Sequence, residues 1–295
     1  MEFQPLEKKD KPVFDDYFQR QSYENSHFTF INLFMWRKLF HIHFAVEDDV
    51  LYIVSRWQGV TQLLQPFTEA EKFPAAINKQ RQWCQKNACP FCVVDVDANA
   101  AEIYRQQADF RIVADRDNYD YVYNSRDLIE LAGRKYHTKK NHFNSFWRTY
   151  PETQYLPITK EITADCQKMT DEWTKLRHAE FPDDPLIIGE CEAIREIFSD
   201  FEYFGVKGGA LKISDQIVAF SFGEQFNPEM AVIHVEKADP EIRGAFAAIN
   251  QAFAREWQDC LYINREEDMG IAGLRQAKES YKPVRMVEKY NVTEG

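Results

Sequence analysis

The chain has 295 residues, of which 44% are hydrophobic and 15% aromatic, with only 11 Gly and 12 Pro, a composition that suits two packed domains and leaves little room for disorder beyond the termini. A formal net charge of −11 argues against broad adhesion to nucleic acid or anionic lipid, so an anionic ligand must be met locally. No apolar run reaches the ~20 residues of a membrane-spanning helix, Met1–Asp10 lacks the apolar core of a signal peptide, and the six Cys are scattered through a long chain; the expectation is a cytoplasmic protein with reduced thiols.

In chain order, the first readable strand is Phe40–Val46, where Phe40, Ile42, Phe44 and Val46 alternate. Asp48-Asp49 makes a turn, and Val50–Arg56 and Thr61–Phe67 continue a meander. A helix is expected over Glu69–Lys86 with Phe73, Ile77 and Cys84 inward, then a strand at Phe91–Val96, a helix at Ala98–Ala108 and a strand at Tyr119–Tyr123. Ser125–Arg148 reads as a helix and Thr153–Pro157 as a strand. Cys166, Met169, Trp173 and Leu176, then Ile194, Ile197, Phe201 and Phe204, mark two further helices separated by the loop Phe181–Gly189.

Gly209–Ser214, Ile217–Gln225 and Ala231–Glu236 form a second meander with turns at Asp215-Gln216 and Asn227-Pro228. Phe246, Ile249, Phe253 and Trp257 recur at helical spacing over Arg243–Gln258; Leu261–Ile263 is a short strand, Gly270–Lys282 a helix stopped by Pro283, and Val284–Tyr290 a last strand. The two halves repeat one order of elements, without a repeat at the level of residues.

Three motifs carry candidate chemistry. The segment RKYHTKKNHFNSFWR contains Arg134, Lys135, Lys139, Lys140 and Arg148, with Asn141 beside them, and no acid. On a helix Lys135, Lys139 and His142 share a face while Tyr136, Phe143 and Trp147 can turn inward. A solvated helix between domains would show this pattern too. In a chain this acidic, an acid-free segment points instead to a phosphate or RNA-backbone site. In HVEKADPEIRGAFAAINQAF a strand leads to a helix opening at Arg243-Gly244, where free N–H groups favour an anion, although a short strand-to-helix loop is common in itself. In INREEDMGIAGLRQAKESYKP, Asn264, Glu266 and Asp268 crowd the end of a strand, and Leu274, Lys278 and Tyr281 fall on one helical face. Asp268 also suits a plain N-cap and Glu266 a surface acid.

Other patterns fall away. Asp95, Asp97 and Asn99 resemble the start of a calcium loop, but Ala100 and Gln106 stand where Gly and Glu are needed. Cys84, Cys89 and Cys92 lack a downstream Cys/His pair, and His41 and His43 merely alternate along a strand. No metal site is expected, and phosphate-loop, dinucleotide, G-x-S-x-G and H-E-x-x-H motifs are missing.

The segments Arg134–Phe146, Arg243-Gly244 with its helix, and Asn264–Pro283 together resemble the DUF2156 family, which is similar to the C-terminal domain of phosphatidylglycerol lysyltransferase, and the resemblance covers most of the chain. It implies an α+β fold of two tandem GNAT-like acyltransferase domains related to the Fem aminoacyltransferases, each a mixed, mostly antiparallel sheet flanked by helices. The expected N-terminal domain is 1–130 and the C-terminal domain 131–295, opened by the basic helix. The implied activity is transfer of an aminoacyl group from aminoacyl-tRNA to a lipid-linked or small amine or hydroxyl acceptor, with no cofactor and no DNA partner. One departure bears on the donor: acetyl-CoA-binding GNAT proteins carry R/Q-x-x-G-x-G/A, and here Phe246 replaces the first Gly while Ala248 conforms. A side chain where the backbone must approach a pyrophosphate disfavours CoA. Acyl-CoA as donor, or a non-catalytic binding protein on a GNAT scaffold, stay open as alternatives.

On this reading Glu236 or Asp268 takes a proton, Lys278 steadies the oxyanion and Tyr281 protonates the leaving group. Arg134, Lys135, Lys139, Lys140 and Asn141 hold the tRNA acceptor stem or another phosphate, and Arg243, Gly244, Asn264 and Glu266 complete the ligand-binding set.

Overall fold

Alternating apolar positions become strands and helical spacing becomes helices largely where the pattern indicates, in a computed structural model that describes residues 1–107 and 109–295. Two units result, Met1–Asp120 with Val287–Gly295, and Tyr121–Met286. The expected boundary at residue 130 lies ten residues past the division, because the strand that starts at Asp120 belongs to the second sheet.

In the first unit β1 (Gln4–Pro5), β2 (His43–Glu47), β3 (Val50–Trp57), β4 (Val60–Leu64) and β5 (Cys92–Val96) lie in sequence order, followed by the chain's last strand, Tyr290–Glu294, and then β6 (Phe110–Ala114). All neighbours are antiparallel except β4 and β5, which run parallel. Asp48 and Asp49 both take positive φ, 57° and 60°, as a tight hairpin turn between right-twisted strands requires. Helices α1 (Lys11–Gln19) and α2 (Phe30–Trp36) were not legible as periodic segments: six of the seven residues of α2 are buried, so it has no polar face to set a period. Helix α3 (Phe73–Lys86) precedes β5, and α4 (Ala98–Arg105) follows it. The Asp97 carboxylate accepts from the Ala100 amide at 2.8 Å, which identifies that acid as a helix cap. Ala108, the expected end of α4, lies outside the described residues.

The second unit contains β7 (Asp120–Asn124), α5 (Ser125–Glu130), α6 (His137–Thr149), β8 (Gln154–Pro157), α7 (Lys160–Glu180), α8 (Pro185–Ser199), α9 (Phe201–Phe204), β9 (Lys207–Ile213), β10 (Gln216–Asn227), β11 (Met230–Ala238), α10 (Ala245–Ala254), β12 (Tyr262–Asn264), α11 (Ala272–Glu279) and β13 (Arg285–Val287). The expected single helix over Ser125–Arg148 is broken: Leu131 and Gly133 have φ of 47° and 85°, and a 3-10 turn at Arg134–Tyr136 leads into α6. The sheet runs β13-β7-β12-β11-β10-β9-β8, and again one central pair, β11 and β12, is parallel. The expected last strand at Val284–Tyr290 is two strands, β13 in this sheet and Tyr290–Glu294 in the other. Nearly every residue of α10 is buried, and Ala245, Ala248 and Ile249 join Phe146 of α6 and Leu211 and Ala219 of the sheet in one core. A second core gathers Tyr121, Tyr123, Leu128, Tyr136, Phe253, Trp257, Ile263 and Tyr281. All six cysteines are unpaired. Among the described residues no helix is long and apolar enough to cross a membrane.

Candidate functional site

The parallel ladder between β11 and β12 ends at Val232↔Asn264. Beyond it β11 runs on to Ala238 while the other chain turns away, so the two strands part and the carboxyl end of β11 loses its neighbour on that side. Such a parting at the carboxyl ends of parallel strands is where open sheets accept ligands.

A β-bulge prepares this end. The register moves from Phe222↔Val235 to Gly223↔Ile233, leaving His234 as the extra residue. Gly223 is required opposite it, since a Cβ there would lie 2.1 Å from the Val232 carbonyl oxygen. The bulge aims His234 between two acids, Nδ1 2.9 Å from Glu266 and Nε2 2.9 Å from Glu224. Burial alone would lower the imidazole's pKa, but the two carboxylates raise it to about 9, so the ring carries a charge at neutral pH. Glu266, expected in a ligand set, is thereby engaged in this triad.

Two residues along, Glu236 stands at the parting. Its Oε1 accepts from Arg265 Nη2 and its Oε2 from Asn250 Nδ2 of α10, each at 2.9 Å. The Arg265 guanidinium is only 12% exposed and lies 4.8 Å from the Tyr281 ring centroid and 5.5 Å from that of Tyr123. Burial opposes its charge, but the Glu236 carboxylate holds it. Lys139 of α6 reaches the same place, with Nζ 4.3 Å from the Tyr281 ring centroid. Burial, then the nearby Arg265 cation, lower the Lys139 pKa, and Glu236 pulls the other way. The Tyr281 phenol is buried and its pKa is raised, mainly by that burial, so it stays protonated.

The other expected residues serve different ends. Asp268 is fully buried and accepts from Tyr121 Oη at 2.6 Å, from Arg275 at 2.8 and 2.9 Å and from the Gly270 amide at 2.9 Å. Burial raises its pKa, yet these donors prevail and hold the carboxyl at about 2, which makes it an anchor for the turn after β12 rather than a proton acceptor. Lys278 donates to the backbone oxygens of Arg265 and Glu267 and so fixes the same turn. Asn264 accepts from the Glu266 amide at 2.8 Å. Gly244 caps α10 at a φ of 88°, against α6, and Arg243 beside it is exposed. The basic segment divides in two: Lys139 turns into the site, while Arg134, Lys140, Asn141 and Arg148 stay exposed and Lys135 pairs with Asp127 at 3.0 Å.

Sequence reasoning missed Arg265, Asn250, His234 and Glu224. Asn250 had a signal, a polar residue in the otherwise apolar AFAAINQAFA. Arg265 sits inside the INREED motif, where its acidic neighbours carry the stronger pattern.

In the first unit the comparable parting of β4 and β5 is closed by side chains. Gln65 Nε2 donates to Asp97 Oδ2 at 2.8 Å and the Asp97 amide donates to Gln65 Oε1 at 2.9 Å, while Gln80 of α3 donates to the Leu64 carbonyl at 2.8 Å.

The family model "Phosphatidylglycerol lysyltransferase, C-terminal" matches residues 19–293. A crystal structure of a conserved protein of unknown function from Bacteroides thetaiotaomicron is 34% identical with a TM-score of 0.92 over 99% of both chains. The structure of L-PGS from Bacillus licheniformis has a TM-score of 0.68 at 15% identity, covering 99% of this chain and 92% of that one. A tandem GNAT protein from the clavulanic acid biosynthesis pathway has a TM-score of 0.51 at 9% identity, covering 99% and 98%, so the fold is the tandem GNAT fold. An uncharacterized protein of Mycoplasmoides gallisepticum is 25% identical over 186 residues, 59% of this chain and 55% of its own length, so the match spans about half of that relative.

Proposed function

Because the chain belongs to the phosphatidylglycerol lysyltransferase C-terminal family of GNAT-fold acyltransferases, we propose that its second unit transfers an aminoacyl group from aminoacyl-tRNA to a lipid-linked or small amine or hydroxyl acceptor. The observation that carries this reading is the convergence of Glu236, Arg265, Asn250, Lys139 and Tyr281 where β11 and β12 part.

In the proposed step the acceptor's nitrogen or oxygen attacks the ester carbonyl carbon, and the bond from that carbon to the ribose oxygen breaks. Glu236 takes the proton of the attacking group, Arg265 faces the oxygen on which negative charge develops, and Tyr281, kept protonated by burial, supplies a proton to the leaving ribose oxygen. The proton on Glu236 then restores Tyr281, so the step balances. Arg265 takes the oxyanion role in place of Lys278, whose ammonium is occupied by two carbonyls. The exposed Arg134, Lys140 and Arg148 supply charge for the tRNA backbone. Against an acyl-CoA donor stand Phe246 near the start of α10 and the contact of that helix start with α6.

The test is to incubate the protein with a mixed pool of charged tRNAs plus candidate acceptors, and separately with acyl-CoAs, and follow loss of the acyl group. Deacylation of tRNA that depends on an acceptor is the expected result; turnover of acyl-CoA alone would reverse the assignment of the donor.

A further inference from the structure

The turn that ends α3 brings two cysteines together. Ala88 takes a left-handed φ of 51°, its amide donates to the Gln85 carbonyl at 3.3 Å, and the Cys89 amide donates to the Cys84 carbonyl at 3.1 Å. Two such bonds around a left-handed residue make a Schellman motif, whose outer bonded residues bring their side chains into contact as they close the helix end. Here both of those residues carry thiols. Cys89 Sγ lies 3.8 Å from the Cys84 carbonyl oxygen, and the two side chains are within hydrogen-bonding reach of each other. Burial first, then the neighbouring Cys89, push the Cys84 thiol up to about 12.

The two differ in access. Cys84 is 2% exposed, inside a core with Phe73, Ile77, Phe91 and Val93, whereas Cys89 is half-buried and packs against that core. Cys92, the third thiol of this segment, precedes Val93 on β5. Successive strand residues point to opposite faces, and Val93 belongs to the core that holds Cys84, so Cys92 turns to the other side.

We infer that Cys84 and Cys89 form a reversible oxidation site for small peroxides, with Cys89 as the reacting thiol and Cys84 as the resolving one. In the first step the Cys89 sulfur attacks one oxygen of hydrogen peroxide, an S–O bond forms and the O–O bond breaks, giving a sulfenic acid and one water. The Cys84 sulfur then attacks the Cys89 sulfur; the S–O bond breaks, an S–S bond forms, and the released oxygen leaves as a second water with the Cys84 proton. Two thiols and one peroxide thus become one disulfide and two waters. A sulfenic acid that meets no thiol goes on to the irreversible sulfinic acid. The turn sets Cys84 where it intercepts that loss. A pair whose thiolates are disfavoured by burial also holds its disulfide the more firmly once formed.

The experiment treats the full chain with a small excess of hydrogen peroxide and counts free thiols in denaturant with a chromogenic disulfide reagent. The count is expected to fall by two from the six of the reduced chain and to be restored by dithiothreitol. Trypsin cuts after Lys86, between the two cysteines, so peptides 82–86 and 87–105 should emerge joined before reduction and separate after it. Cys84→Ala should abolish the joined product and drive Cys89 to the sulfinic acid, while Cys92→Ser should oxidise as the natural chain does. The peptide map of the natural chain decides the matter even if Cys84→Ala does not fold. Six thiols throughout, a disulfide closed within 87–105 between Cys89 and Cys92, a disulfide between two chains, or sulfinic acid at Cys89 of the natural chain overturns the site.

Discussion

Gly244 lies against His142: a Cβ on the glycine would sit 2.6 Å from the His142 carbonyl oxygen and 3.0 Å from Phe146 Cβ, at a φ of 88°. The start of α10 therefore seats directly on α6, the helix that delivers Lys139, and both the contact and the backbone angle call for glycine. Gly244→Ala should cost about 2–4 kcal/mol in urea unfolding, combining strain with a displaced backbone. Gly273→Ala, in α11 with nothing within 4 Å of the added methyl, should instead stabilise by about 0.5–1 kcal/mol. Equal effects of the two substitutions would contradict this account of Gly244.

His234 predicts an alkaline limit to stability. Its folded pKa, about 9, lies above the ordinary value of 6.5 because of Glu224 and Glu266. A raised pKa contributes stability that is complete below about pH 6.5 and is lost as pH rises through about 9, on the order of 3 kcal/mol in all. Chemical unfolding across that window should show the decline, and His234→Gln should flatten it while lowering stability at neutral pH.

Asp268 predicts the opposite limb. Its carboxyl is held at about 2, below the ordinary 3.8, by Arg275, Tyr121 and the Gly270 amide. A lowered pKa contributes stability that is present above about pH 3.8 and lost as pH falls through about 2. Asp268→Asn should cost about 2–4 kcal/mol, because it leaves the Arg275 guanidinium without its carboxylate. Turnover should fall with the loosening of the turn that carries Arg265, and the midpoint of urea unfolding should fall with it.

On the proposed reading, the division of the basic segment separates tRNA binding from chemistry. Replacing Arg134, Lys140 and Arg148 with Ala should weaken tRNA binding and lower the slope of log affinity against log salt by about 0.7–0.9 per lost phosphate contact. Lys135→Ala should do little, since that cation already faces Asp127 at the surface. Lys139→Ala should leave the salt slope intact and reduce turnover. Titrations over a salt series, run beside single-turnover assays, check all three; a normal rate for Lys139→Ala would remove that residue from the site.

Element order was readable where one face of a helix is buried and the other wet, as in α3 and α4, and where an apolar run is bounded by turns, as in β3. It failed at α2, a short helix with six of seven residues buried, and where pairing is long-range. Nothing local to Tyr290–Glu294 says that it pairs with β5, some 200 residues earlier, or that β7 leaves the sheet of the strands before it. The same limit governed the site. Residue type and placement single out Glu236, Lys139 and Tyr281, which the fold brings together, and equally Asp268 and Lys278, whose side chains bond the turn beside them. Only the fold shows which charges are consumed internally. Arg265 and Asn250 stand out because their side chains are half used, with Arg265 Nη1 and Asn250 Oδ1 buried and without a hydrogen-bond partner.

The amide-to-acid clasp of Gln65 and Asp97 in the first unit has an implication for how a doubled fold divides its labour. In the first copy the groups at the strand parting, the Gln65 amide and the Asp97 side chain and backbone N–H, bond each other. The second copy keeps an arginine and a glutamate at the equivalent place and leaves two valences idle. On the proposed reading, grafting a glutamine and an aspartate onto the second parting should abolish turnover while preserving the fold.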